Sequence, residues 1–81
     1  MPRLVLTYTN GKERSVKLVP TSNSQRPNEV ETRMLDQINK RLPPQILAEM
    51  SARGVSIPSR EIGLLLSRLK AATDLNISIG D

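Results

Sequence analysis

Arg3-Leu4-Val5-Leu6-Thr7-Tyr8 and Lys12-Glu13-Arg14-Ser15-Val16-Lys17-Leu18-Val19, joined through Thr9-Asn10-Gly11, decide how this chain begins to fold. Both runs alternate apolar and polar residues, and Asn-Gly between two such runs is a strong β-hairpin signal. Leu4, Leu6 and Tyr8 share one face of the first strand; Val16 and Leu18 share one face of the second. Parity then selects the turn. A two-residue loop at Asn10-Gly11 would set Leu4 opposite Lys17 and Leu6 opposite Ser15. A three-residue loop at Thr9-Asn10-Gly11 sets Leu4 beside Val16 and Tyr8 beside Lys12, and only this choice keeps the apolar residues together. The expected turn is therefore type I, with Gly11 left-handed in a bulge. Val5 and Val19 fall outside the alternation.

Pro20 to Pro27 is polar and carries proline at both ends, which predicts a mobile loop. A helix follows. Asn28 is a candidate N-cap, and Glu31 three residues on completes a capping box. Val30, Met34, Leu35, Ile38 and Leu42 recur at helical spacing, with Glu29–Arg33 and Asp36–Lys40 as i,i+4 pairs on the wet side. Pro43-Pro44 stops this helix. A second helix is predicted from about Pro44 to Arg53, with Ile46, Leu47 and Met50 inward and Gly54 as C-cap. A third begins near Pro58 or Ser59 and ends near Ala72, with Ile62, Leu65, Leu66 and Leu69 as its core stripe. Leu75, Ile77 and Ile79 then alternate with Asn76 and Ser78, a short strand able to join the hairpin. The expectation is one α+β domain over 1–81, of order ββαααβ. It divides into a hairpin (3–19), a loop (20–27), a three-helix part (28–73) and a terminal strand (75–79).

Composition narrows the chemistry. The chain has 81 residues, no Cys, no His and a single aromatic residue, Tyr8. Without Cys or His there is no thiol nucleophile, no commonest general base and no usual transition-metal ligand. Ser67-Arg68-Leu69-Lys70 matches Ser-x-x-Lys, a four-letter pattern that means little without its companion motifs. Glu29 and Glu31 sit where a helix dipole favours anions, so they read as capping residues rather than a catalytic pair. Glu49 and Glu61 are a second carboxylate pair, with nothing around them in the sequence to make them catalytic. Glycines stand singly, which rules out a phosphate-cradling glycine loop. The protein is expected to be no enzyme and to need no metal, cofactor or small-molecule substrate. No apolar run is long enough for a signal peptide or a membrane span, and the lack of cysteine fits a cytoplasmic setting.

Charge is the strongest functional hint. Arg3, Lys12, Arg14, Lys17 and Arg26 stand against Glu13 alone, so residues 1–27 hold the chain's entire net charge of +4. Such asymmetry points to an anionic partner. Gln45–Lys70 also resembles, loosely, a helix-turn-helix of the winged-helix kind, with Gly54 in the turn. Arg60 and Gly63 stand where the tight form has apolar residues, so the turn would be a longer one, and the basic hairpin precedes the helices rather than following them. On this resemblance the outer face of the third helix, Arg60, Leu64, Ser67, Arg68 and Ala71, would meet DNA or RNA. Arg60 or Arg68 would reach a guanine edge or a phosphate, Ser67 a phosphate and Leu64 a thymine methyl. Lys12, Arg14, Lys17 and Arg26 would neutralise phosphates. The expected function is that of a small nucleic-acid-binding or transcription-associated accessory protein. The alternative is a protein-interaction module or homodimer that docks through Leu64 and Ala71 or through a sheet edge.

Overall fold

A computed structural model describes residues 1–81. The hairpin forms as β1 (Arg3–Thr7) and β2 (Glu13–Lys17) in the register that parity selects, Leu4 opposite Val16 and Leu6 opposite Arg14. The Gly11 amide donates to the Tyr8 carbonyl at 2.9 Å and the Tyr8 amide to the Lys12 carbonyl at 2.8 Å. Gly11 has φ of +87°, the left-handed conformation that a G1 bulge requires. The last strand, β5 (Asn76–Gly80), lies antiparallel to β1 on its other side, so the sheet order is β2-β1-β5.

The second strand is shorter than predicted. At Leu18 the chain leaves the sheet, and Val19–Pro20 forms β3, which pairs with Val55–Ser56 (β4) in a separate two-stranded ladder. This is why Val19 breaks the alternation: its side chain belongs to another pleat. The predicted loop is also tied down at its start. Thr21 donates its amide to the Gly54 carbonyl at 2.8 Å, its hydroxyl lies 2.8 Å from that of Ser56, and Thr21–Asn23 forms a 3-10 turn. Pro20 is compatible with a ladder because a two-residue edge strand does not need its missing N–H.

Three helices complete the molecule: α1 (Glu29–Arg41), α2 (Pro44–Arg53) and α3 (Ser59–Ala71). Asn28 caps α1 with both halves of the capping box present, the Glu31 amide donating to Asn28 Oδ1 at 2.8 Å and the Asn28 amide to Glu31 Oε1 at 2.9 Å. Gly54 closes α2 with φ of +65° and donates to the Met50 and Ser51 carbonyls. Leu4, Leu6, Val16 and Leu18 from the strands meet Ile38, Leu42, Ile46, Met50, Ile57, Ile62, Leu65, Leu66 and Leu69 in one core. Tyr8, Ile77 and Ile79 pack at its margin.

Two expectations about the helices need correction. Val30 is 61% exposed, because it lies about 80° round α1 from the buried Ile38 and so falls off the core stripe. The helix-turn-helix arrangement of α2 and α3 is absent: β4 separates them, α3 takes α1 as its helical neighbour, and α2 leans on β4 and β5. No helix is long and apolar enough to cross a membrane.

Candidate nucleic-acid interface

The strand pleat sorts the hairpin cations. Positions opposite one another share a face, so Lys12 and Arg14 lie on the side of Tyr8 and Leu6, where the helices pack. Lys17 lies on the other side with Arg3, which is its direct cross-strand neighbour. The hairpin cations are therefore divided between the two faces of β2. Because β2 is an edge strand, cations on both faces project along one rim of the sheet.

That rim is electrostatically unsatisfied. Arg3 opposite Lys17 is a like-charge pair, an arrangement that costs a few tenths of a kcal/mol to about 1 kcal/mol. Arg3 turns away, donating to the Asp81 carbonyl at 2.8 Å, and Arg14 donates to the carbonyl of Glu13 at 3.3 Å. The ion pairs of the molecule are Glu29–Arg33, Glu49–Arg53, Arg53–Asp81 and Arg60–Glu61, all beyond residue 28. Asp36 and Lys40, spaced for a pair, do not form one. Lys12, Arg14, Lys17 and Arg26 are in none of these pairs.

On α3 the exposed arc holds Arg60, Leu64, Ser67 and Ala71, as helical spacing predicts, and Leu64 is 47% exposed. Gly63 and Lys70 extend this arc, while Arg68 is half-buried at its edge. The Ser59, Ile62 and Lys70 flank of α3 lines clefts shared with α1, so Arg68, on the opposite flank, sits toward β2. Arg60 is elsewhere. It lines a cleft of about 310 Å³ with Asn23, Ser24 and Gln25, and this places it near the segment that carries Arg26. The candidate residues thus fall into separate groups: Lys12 and Arg68 on the helix side of the rim; Arg14 at the rim itself, bonded to the Glu13 carbonyl and lining a groove with Val5 and Ser15 of the bare side; Lys17 on the bare side; Arg26 and Arg60 at the start of α3. Leu64, Ser67 and Ala71 face solvent away from the sheet.

Arg3 stands opposite Lys17, as a Leu4–Val16 pair forces, but its guanidinium reaches the β5 side of the sheet and does not add to the rim. No cluster of three His, Cys, Asp or Glu side chains comes together to hold a metal ion. Comparison of the chain with protein-family models, with curated proteins and with solved structures finds no match.

Proposed function

We propose that the protein is a non-enzymatic nucleic-acid-binding accessory protein that presents the β2 rim to a duplex. One observation carries this reading: every side-chain ion pair lies within residues 29–81, and Lys12, Arg14 and Lys17 on the rim are in none of them. A groove of double-stranded nucleic acid has phosphates along both walls, and the major groove of DNA admits a two-stranded β-ribbon. A ribbon entering rim first would direct Lys12, with Arg68 behind it, to one wall and Lys17 to the other, with Arg14 at the rim between them. The division of charge between two faces then serves the contact. Arg26 and Arg60 would supply outlying phosphate contacts, while Ser67, on the outer face of α3, lies away from this contact. With Tyr8 as the only ring, the chain lacks the aromatic platforms on which single strands stack, which favours a duplex.

The test is a salt titration of binding to generic duplex DNA. Each phosphate contact contributes about 0.9 to the slope of log K against log salt. Affinity is expected to fall steeply with salt, and the Lys12→Ala, Arg14→Ala double variant to lower the slope by up to about 1.8. Lys17→Ala should lower it by a further ~0.9. Absence of binding at low salt, or a slope unmoved by all three substitutions, would overturn the proposal.

A further inference from the structure

We infer that the protein forms a twofold dimer by antiparallel pairing of β5 with β5 of a second copy, centred on Ser78. This rests on the sheet and not on the nucleic-acid reading.

The two edges of the sheet are built differently. β2 carries Glu13, Arg14 and Lys17, and charges on an edge strand oppose further pairing. β5, Asn-Ile-Ser-Ile-Gly, has no charged residue and no proline. Its free backbone groups can be identified. Tyr8 bonds to Lys12 and Leu18 to Pro2, so the even-numbered residues of the first strand bond toward β2. Alternate residues of a central antiparallel strand bond to opposite neighbours. Arg3, Val5 and Thr7 therefore bond to Gly80, Ser78 and Asn76. The amides and carbonyls of Ile77 and Ile79 are left pointing outward, and no other backbone group bonds to them.

A second β5 fits this edge in one register. Pairing about Ser78 sets Ile77 opposite Ile79 of the partner and the reverse, so each pair exchanges both of its backbone bonds. The half-buried side chains of Ile77 and Ile79, which lie on the core side of the sheet, then form a continuous apolar row across the junction. The same register carries the partner's Asp81 to the position opposite Leu75. Leu75 lines a groove of about 370 Å³ with Leu69, Ile77, Arg41 and Lys70, and neither cation is in an ion pair. Asp74, in the turn before β5, is the acid nearest to Lys70 in the chain and pairs with neither. The Asp81 side chain, although bonded to Arg53, is still 81% exposed and able to accept from a second cation. The chain thus supplies the alternating apolar residues and the acid that its own free edge calls for. Pairing at β5 leaves the charged β2 strands at both ends, so the assembly closes as a dimer and does not propagate.

Ser78 gives a test that the isolated fold tolerates, because its side chain is exposed on the bare face of the sheet. In the dimer the two copies of Ser78 form a non-hydrogen-bonded pair, whose side chains are in closest contact. Sedimentation velocity of the full chain is expected to show a mass that rises from monomer to dimer with concentration. Ser78→Lys and Ser78→Glu should each remain monomeric with an unchanged circular dichroism spectrum. An equimolar mixture of the two should regain the dimer through a Lys–Glu pair. A wild-type chain that stays monomeric at every concentration overturns the inference. So does a dimer that both single variants leave intact, or a mixture that stays monomeric.

Discussion

Asn28 and Gly11 show how much of this fold is decided by single residues acting locally. Both halves of the capping box that Asn28 and Glu31 promise are formed, because the bonds span three residues and depend on nothing distant. Asn28→Ala is expected to cost about 1 kcal/mol, read as a lowered denaturation midpoint in urea with unchanged slope. Gly11 at φ of +87° is in a region where a Cβ meets the following carbonyl, so Gly11→Ala should cost roughly 1–2 kcal/mol in the same assay. No atom lies within 4 Å of where that Cβ would be, so backbone conformation alone accounts for the effect. Val30 shows where local reading fails. It satisfies an i, i+4 spacing to Met34, yet at 100° per residue it lies about 80° from Ile38, at the edge of the stripe, and the packing leaves that edge exposed.

At the scale of elements, the helices and the hairpin were legible and the small β3–β4 ladder was not. Helix periodicity repeats over three turns in α3, and every residue of its expected stripe is buried. The β3–β4 ladder joins residues 19–20 to 55–56, and two-residue strands carry no periodicity to read. The only sequence trace of it was Val19 standing out of phase. The same limit explains the failed helix-turn-helix: Gly54 does end α2 in a left-handed turn, but Val55 then enters a strand that only Val19 and Pro20 make possible. Neighbouring positions of α3 provide a direct check of its orientation. Leu65→Ala, in the core, should cost about 2–5 kcal/mol. Leu64→Ala should change stability by no more than about 0.5 kcal/mol, both measured by chemical denaturation. If Leu64 docks a protein partner, Leu64→Glu would remove that binding while leaving the fold intact.

For the whole molecule, the charge asymmetry was visible in the sequence, but its division between the faces of β2 emerged only from the register. That division bears on how a β5-paired dimer would hold nucleic acid. The combined sheet would run β2-β1-β5 and back through the second copy, with its two cationic rims on opposite edges. At about 4.8 Å per strand spacing the rims would be ~24 Å apart and would face away from each other. A short, straight duplex cannot lie against both, so each rim should take its own. Titration of a short duplex at low salt and high protein concentration is therefore expected to saturate at one duplex per chain. Ser78→Glu, monomeric and altered two strands away from the rim, should keep that stoichiometry and keep the salt slope. A saturation point of one duplex per two chains, lost in Ser78→Glu, would mean that the two rims act on a single site and that the cations face a common groove.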